Sequence, residues 1–318
     1  MTVTVLAGGV GAARLLRGMV RAVTPSEVTA VVNTGDDTEL HGLAISPDID
    51  TITYTLAEAI DPERGWGLAG ETWRAMEALE RYTAVRPAGS TAAPTWFNLG
   101  DRDLATHFYR TARLGEGADL ATVTMEIARA WGLDLTLLPM TNDPFRTRIE
   151  LAETGEEISF QDYFVRLRHG VEISGVRFDH DATPTEQTMA AIGDAEAVVV
   201  APSNPLVSIG PIRSLPGVDE ALTARREQVV AVSPIVGGAA LKGPADRMLT
   251  ELGMEASVVG VARHYAPVAA VLVIDVVDAD LAPAVEAAGM RCVVAPSIMT
   301  TPERSEALAR VCLAAVEG

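Results

Sequence analysis

The chain has 318 residues, of which 48% are hydrophobic and 21% are charged. This composition excludes a disordered protein, and it is enough to bury a large core, in one large domain or in one domain with an insert. The formal net charge of -18 argues against nucleic acid and anionic membranes as partners. A polyanionic ligand would need metal ions, backbone N–H groups or a few arginines.

The N-terminal residues 1–7 lack a basic flank and are too short for a signal peptide, so we expect them to form the first strand. No apolar stretch reaches about 18 residues, which argues against a membrane span. Cys292 and Cys312 lie in apolar segments without metal-ligand spacing. They are expected to be reduced core thiols of a cytoplasmic protein.

Short apolar runs recur along the chain and are separated by helical patterns. Runs without polar alternation are typical of buried parallel strands. Their alternation with helices predicts an α/β fold with a doubly wound, Rossmann-like, mostly parallel sheet. The predicted strands are 2–6, 28–32, 135–138, 197–201, 229–232, 271–274 and 291–294. The predicted helices are 11–23, 51–60, 71–81, 103–114, 120–131, 185–192, 245–252 and 302–315.

One segment breaks this alternation. Residues 146–150 and 158–165 are separated by a turn that contains Gly155, a pattern that predicts a β-hairpin. We therefore expect residues 1–318 to form a single Rossmann-like domain. Residues 140–190 would form a small inserted α+β subdomain that contains the hairpin.

A glycine-rich turn, Gly8-Gly-Val-Gly11, follows the first predicted strand. Gly9 and Gly11 would allow close approach of a phosphate to the backbone, and a helix N-terminus supplies partial positive charge. Tight packing of the turn would require the same glycines. The turn differs from the dinucleotide-binding fingerprint because the third glycine position falls on Arg14.

Two acidic groups follow in the sequence. Asp36 lies in the group Asn33-Thr-Gly-Asp-Asp37, which follows the second predicted strand, and Asp48 and Asp50 precede a helix that Asp50 or Thr51 would cap. In an extended turn, Asp48 and Asp50 would face one side, and Asp36 or Asp37 could converge with them. Because Mg²⁺ accepts one or two carboxylates together with phosphate oxygens, Asp36, Asp48 and Asp50 are candidate Mg²⁺ ligands. The alternative is that they only cap a helix and close a turn.

A third polar group runs from Asn98 to His107. Asp103 is a plausible N-cap, and His107 would lie one helical turn later on the same side. His107 could titrate near neutral pH or serve as a structural histidine. Arg102 could form a structural ion pair or hold a phosphate.

Residues 201–211 follow the fourth predicted strand and contain three prolines, which makes this loop stiff. Ser203, Asn204 and Ser208 place polar groups along it. Ligands of open α/β sheets bind beyond the carboxyl ends of the strands. A second stiff polar loop follows at 233–238, so the two loops are expected to cradle a phosphorylated ligand.

Taken in order, eight motifs resemble the family of 2-phospho-L-lactate transferases that build the deazaflavin coenzyme F-420. Each motif alone is unspecific, whereas the eight together are specific and run along nearly the whole chain. They are Ala7-Gly-Gly-Val-Gly11, Val31-Val-Asn-Thr-Gly-Asp-Asp37, Ser46-Pro-Asp-Ile-Asp-Thr51 with residues 54–56, Leu99-Gly-Asp-Arg-Asp-Leu-Ala-Thr-His107, Phe160-Gln-Asp-Tyr-Phe-Val165, residues 202–205 with 208–212, Val232-Ser-Pro-Ile-Val-Gly237 and Lys242-Gly-Pro-Ala-Asp246.

The resemblance implies a Mg²⁺-dependent transferase, usually a homodimer. A guanosine diphosphate ester would donate its 2-phospholactyl or phosphoenolpyruvyl group to the ribityl hydroxyl of Fo, releasing GMP and forming (dehydro) coenzyme F-420-0. Residues 61–67 and the alanine- and arginine-rich composition resemble actinobacterial members, which favours the enolpyruvyl donor. The implied site residues are catalytic Asp50 and Asp48, metal ligands Asp36, Asp48 and Asp50, and ligand-binding Gly9, Gly11, Asp50, Asn98, Ser203, Asn204, Ser208 and Gly210.

Two other functions compete with this reading. A nicotinamide oxidoreductase is disfavoured by the missing third glycine and by the lack of a well-placed acid for a ribose. A non-catalytic, nucleotide-binding regulatory protein is disfavoured by the Pro47-Asp-Ile-Asp50 and Leu99-Gly-Asp-Arg-Asp103 groups, which indicate chemistry.

Overall fold

The computed structural model describes residues 1–90, 92–179 and 181–317. The strands within these residues are β1 (Val3–Ala7), β2 (Val28–Val32), β3 (Thr38–Leu40), β4 (Leu43–Ile45), β5 (Thr136–Pro139), β6 (Thr147–Leu151), β7 (Glu157–Ser159), β8 (Ile173–Phe178), β9 (Ala197–Val200), β10 (Val229–Val232), β11 (Ile235–Val236), β12 (Ala239–Ala240), β13 (Val271–Ile274) and β14 (Arg291–Val294).

The α-helices are α1 (Gly9–Ala22), α2 (Pro47–Leu56), α3 (Arg74–Glu80), α4 (Asp103–Gly115), α5 (Leu120–Ala130), α6 (Glu186–Asp194), α7 (Gly210–Ser214), α8 (Val218–Ala224), α9 (Ala245–Glu251), α10 (Val258–Tyr265), α11 (Ala282–Ala287) and α12 (Pro302–Glu317). All eight predicted helices are confirmed, with shifted ends. The sequence patterns missed α7, α8, α10 and α11, which are short helices of five to eight residues.

Seven strands form one parallel sheet in the order β14-β13-β10-β9-β1-β2-β5. All seven predicted strands are confirmed, each within one residue at its ends. The chain builds outward in both directions from β1, so the strand order reverses between β9 and β1. Such a switch point leaves a crevice at the carboxyl ends of the strands, where ligands of these folds bind.

The sheet is covered on both faces, which explains why its strands are apolar without alternation. One face packs mainly against α1, α2 and α12, through residues such as Leu15, Ile52 and Leu308. The other packs mainly against α6 to α11, through residues such as Leu222 and Tyr265. The carboxyl-end loops are thereby held on a rigid base.

A second, antiparallel sheet in the order β7-β6-β8 lies within the segment 140–190. The prediction of one strand over 158–165 is wrong, because β7 ends at Ser159. The Ser159 hydroxyl accepts the N–H of Asp162 at 3.0 Å and donates to its carboxylate at 2.7 Å. These bonds begin the helical turn Asp162–Arg166, and β8 supplies the third strand instead.

Two helix starts also differ from prediction. Helix α2 begins at Pro47, with Ser46 as its N-cap, because proline's fixed φ suits the first helical position. Asp48 and Asp50 therefore lie inside the helix, and neither Asp50 nor Thr51 caps it. Asp103 is the first residue of α4, and Arg102 is the N-cap.

Cys312 is buried and Cys292 is half-buried, and both thiols are free. Across the described residues, a helix with the length and apolar character to cross a membrane is not found.

Candidate active site

The glycine-rich turn and the proline-rich loop follow neighbouring strands, β1 and β9, and pack directly on each other. The buried Ser203 hydroxyl donates to the Gly8 carbonyl at 2.7 Å. A Cβ on Gly8 would lie 2.7 Å from the Ser208 Cβ, and one on Gly11 would overlap the Pro202 carbonyl oxygen. Close packing therefore explains Gly8 and Gly11 without a ligand.

Gly9 has a different requirement, because its φ of +69° lies in the left-handed region. The Asp48 carboxylate lies directly beside this turn, because a Cβ on Gly8 would be 3.0 Å from Asp48 Oδ2 and a Cβ on Gly9 would be 3.7 Å from Asp48 Oδ1. An acidic side chain thus occupies the N-terminus of α1, where the sequence predicts a phosphate.

The proline-rich loop is a helical turn, Pro205–Ile209, which leads into α7. The Asn204 side-chain oxygen caps the turn by accepting the N–H groups of Leu206 at 2.9 Å and Val207 at 3.4 Å. The structure thus gives Asn204 and Ser203 a role in fixing the loop. Ser208 and Gly210 are half-buried along the same turn.

Asp36 and Asp48 form an acidic pair next to the glycine-rich turn. Both are buried, and burial together with the charge of Asp48 raises the pKa of Asp36 well above its usual range. Burial also raises the pKa of Asp48 to about 6, although Asn33 and the nearby Gly9 N–H favour its charged form. The Asn33 side-chain amide donates to Asp48 at 2.9 Å. Among the described residues, neither carboxylate forms an ion pair with a lysine or arginine.

The acidic pair fits a divalent cation. One carboxylate oxygen of Asp36 is buried without a hydrogen-bond partner in the described part of the chain. An orphaned oxygen beside a second desolvated carboxylate is costly unless a proton or a cation compensates it. Oxygen ligands of this kind suit Mg²⁺.

Asp50 lies in different surroundings. Side chains two residues apart on a helix do not share a face, so the prediction that Asp48 and Asp50 face one side is wrong. Asp50 turns toward α4, where both its oxygens pair with the fully buried Arg110, with Nη1 to Oδ2 at 3.1 Å. That Asp50 is a third metal ligand stays a prediction, and Arg110 already balances its charge.

His107 extends this buried pair into a network. Its Nδ1 lies 3.3 Å from Arg110 Nη1 and its Nε2 lies 3.4 Å from the Asp103 carboxylate. Tyr54 donates its hydroxyl to Asp103 at 2.5 Å. The predicted placement of His107 beside Asp103 is confirmed. Asp50, Asp103 and His107 have ligand atoms within 4.8 Å of one another, but the guanidinium of Arg110 stands among them.

Asp37 lies between the acidic pair and the network. The Ser46 hydroxyl donates to it at 2.7 Å, and desolvation raises its pKa to about 7 against the attraction of Arg110. Two other predicted residues lie at the edge of the site. Asn98 is exposed before α4, and the Arg102 guanidinium donates to the Ala69 carbonyl at 2.6 Å.

Sequence reasoning missed Arg110, Asn33 and Tyr54. Arg110 lies three residues after His107 on α4, so helical spacing could have placed it on the same face. Asn33 and Tyr54 lie inside motifs already singled out. A buried arginine partner of Asp50 leaves no local sequence signal, because α2 and α4 are far apart in the chain.

Comparison with known proteins matches the family described as 2-phospho-L-lactate transferase CofD over residues 3–298. A protein named phosphoenolpyruvate transferase from Streptomyces griseus is 42% identical, covering 100% of this chain and 99% of the relative. The Mycobacterium ulcerans protein of the same name is 40% identical, covering 98% and 97%.

Two crystal structures of a Bacillus halodurans protein, one described as a member of the upf0052 family, share the fold. Their TM-scores are 0.62 and 0.59 at 17% and 16% identity, and they cover 98% of this chain and 99% and 98% of their own. The family match spans most of the chain and includes both the acidic pair and the Asp50 network. The chain therefore belongs to the 2-phospho-L-lactate transferase family.

Proposed function

We propose that this protein transfers the phosphoenolpyruvyl, or 2-phospholactyl, group of a guanosine diphosphate ester to the ribityl hydroxyl of Fo, releasing GMP. Membership of the 2-phospho-L-lactate transferase family supports transferase activity. The relatives named phosphoenolpyruvate transferase, at about 40% identity over nearly their whole length, support the enolpyruvyl donor. The observation that carries the proposal is the uncompensated Asp36 and Asp48 pair at the N-terminus of α1.

Asp36 and Asp48 would hold Mg²⁺, which when bound neutralises the diphosphate and stabilises the charge on departing GMP. Asn33 orients Asp48 through its side-chain amide, and the carboxylate lies beside Gly8 and Gly9. The remaining amides at the start of α1 point toward an anion at this position. The acidic pair and α1 would therefore bind the diphosphate from two sides.

The protein groups act mainly by holding the reactants in line. In phosphoryl transfer, positioning and charge neutralisation supply most of the acceleration. The Ser203 bond to Gly8 and the Asn204 cap stiffen the loop proposed to bind the guanosine phosphate side, together with Ser208 and Gly210. We assign Asp50 to the reacting end of Fo, with its position set by Arg110, and Asn98 to the deazaflavin.

The test is mass spectrometry of the products formed from Fo and each guanosine donor, with and without Mg²⁺. The expected result is Mg²⁺-dependent release of GMP with the dehydro form of coenzyme F-420-0 as the main product. Lack of product from both donors would overturn the proposal. Thermal stabilisation by NAD alone, without stabilisation by GDP or Fo, would favour the oxidoreductase instead.

The homodimer implied by the resemblance and the cytoplasmic location expected from the two cysteines stay predictions. Size-exclusion chromatography with light scattering tests the first of them.

A further inference from the structure

The imidazole of His107 lies between a guanidinium and a carboxylate. His107 is 1% exposed, and Arg110, one helical turn later on α4, is fully buried. Arg110 Nη1 lies 3.3 Å from His107 Nδ1 and 3.1 Å from Asp50 Oδ2, and its Nη2 donates to the other oxygen of Asp50. On the other side of the ring, His107 Nε2 lies 3.4 Å from the Asp103 carboxylate. His107 therefore joins the pair of Arg110 and Asp50 to the start of α4.

The partners of the two ring nitrogens determine where the ring proton lies. A guanidinium carries only donors, so Nδ1 can contact Arg110 favourably only as an acceptor. The proton then belongs on Nε2, beside the Asp103 carboxylate. Nε2 has no full hydrogen bond among the described residues, so its attraction to Asp103 is the weaker of the two contacts. The contact with Arg110 is thus the one that a substitution should test.

Three elements hold the guanidinium of Arg110 in place. Asp50 lies on α2, the Ala44 carbonyl on β4 accepts from Nη1 at 3.3 Å, and His107 lies on α4 itself. A bidentate contact between a guanidinium and a carboxylate fixes the orientation of both groups. The orientation of Asp50 therefore depends on Arg110, and that of Arg110 depends in part on His107.

We propose that His107 is a positioning residue of the transfer reaction, in which its Nδ1 accepts a hydrogen bond from Arg110 and fixes the guanidinium that orients Asp50. The inference rests on the proposed function, which assigns Asp50 to the reacting end of Fo. His107 is itself buried and acts through Arg110, without touching a substrate. Because a displacement of about 1 Å at a reacting group can cost about a hundredfold in rate, the effect should appear in kcat.

A second histidine lies beside a paired arginine, on elements other than α2 and α4. Arg213 on α7 pairs with Asp219 on α8 through Nε at 2.8 Å and Nη2 at 2.9 Å. Its Nη1 lies 3.1 Å from Nε2 of His264 on α10. His264 therefore provides a matched control, because it has the same kind of contact without a link to Asp50.

The test compares His107→Asn with His107→Gln. The asparagine amide reaches about as far as Nδ1 and the glutamine amide about as far as Nε2, so only His107→Asn keeps an acceptor for Arg110. We expect kcat to fall between about tenfold and a hundredfold in His107→Gln and to stay within about threefold of wild type in His107→Asn. The donor KM should stay within about twofold in both variants, because the donor does not contact Asp50.

The control is His264→Asn, which withdraws the Nε2 acceptor from Arg213. It should lower the melting temperature and leave kcat unchanged. Equal kcat values in the two His107 variants, or a higher kcat in His107→Gln, would overturn the inference, because a purely structural role does not favour Nδ1. A loss of kcat in His264→Asn as large as in His107→Gln would overturn it too.

The ring proton gives a second measurement, which does not require either variant to fold. NMR of the histidine ring nitrogens in the wild-type protein should show His107 protonated at Nε2 alone. A proton on Nδ1 would overturn the inference. If the wild-type protein forms no product from either guanosine donor, the proposed function fails, while the NMR result still decides whether His107 accepts from Arg110.

Discussion

Asp48 and Asp50 are the same residue type, two positions apart in the first turn of α2, and their surroundings are opposite. Asp48 faces the glycine-rich turn, receives a hydrogen bond from the neutral side-chain amide of Asn33 and lies beside another acid, Asp36. Asp50 faces α4, and the guanidinium of Arg110 donates to both of its carboxylate oxygens.

The difference separates two kinds of buried charge. A carboxylate with an arginine partner is balanced within the fold, and breaking that pair costs stability. The charge of a carboxylate beside another carboxylate stays uncompensated until a proton or a cation binds. We therefore expect variants at the Arg110 network to affect folding first, and variants at the Asp36 and Asp48 pair to affect function first.

The largest effect is expected for Arg110→Met. It would leave Asp50 buried without its cation, and such a loss lowers the free energy of unfolding by about 3 to 5 kcal/mol. Urea denaturation would measure it. The double variant Arg110→Met with Asp50→Asn removes both charges and should recover part of the loss. If the single variant is as stable as wild type, the comparison between the two aspartates is wrong.

The second largest effect is expected for Asp48→Asn, which keeps the shape of the side chain and removes its charge. We expect kcat to fall between about a hundredfold and a thousandfold, the size of effect seen when an electrostatic contact of the transition state is removed. The melting temperature should stay the same or rise, because a repulsion with Asp36 is gone. A variant with a lower melting temperature and the kcat of the wild type would show that Asp48 has a structural role instead.

The pH dependence of stability gives a third way to separate the two regions. Burial raises the pKa of Asp48 to about 6 and of Asp37 to about 7 in the folded protein, from 3.8. The fold then holds protons that the unfolded chain has released, so the free energy of unfolding falls as pH rises from about 4 to about 7. For Asp48 alone the fall is roughly 3 kcal/mol.

Denaturant titrations at several pH values would measure this fall. Saturating Mg²⁺ should oppose it if the ion binds the acidic pair, and Asp48→Asn should flatten the profile. A free energy of unfolding that rises over the same pH range would contradict the assigned surroundings of these carboxyl groups.

The smallest effect is expected for Tyr54→Phe. Asp103 would lose the hydroxyl that donates to it, and the free energy of unfolding should fall by about 1.5 kcal/mol. Tyr109→Phe is a matched control, because Tyr109 also donates to a carboxylate, that of Glu126, but on the exposed side of α4. Equal effects of the two substitutions would argue against a tightly held network.

The sequence was sufficient to predict the central sheet, because each strand is a short apolar run bounded by polar loops. Prediction from the sequence failed where a local pattern is compatible with two different structures. Residues 158–165 are apolar enough for a strand, but Ser159 and Asp162 exchange hydrogen bonds that turn the chain into a helical turn. Helix α2 began earlier than predicted because proline after Ser46 starts a helix rather than delaying one.

The candidate site was predicted in part. The glycine-rich turn and the proline-rich loop were each predicted to follow a strand, and the structure packs them together. The surroundings of Asp48 and Asp50 could not be predicted, because Arg110 comes from a helix about sixty residues later. Which partner a buried charge finds is a tertiary property that spacing within one motif does not encode.

The position of the Asp48 carboxylate beside Gly8 and Gly9 has a consequence for the order in which ligands arrive. A nucleotide that comes alone meets a resident anion where its own oxygens should dock, and the two repel. A cation that binds first neutralises the Asp48 carboxylate and can then bind the oxygens of the nucleotide. The protein would thus discriminate between free nucleotides and their magnesium complexes before any chemistry begins, using a side chain that belongs to its own second helix.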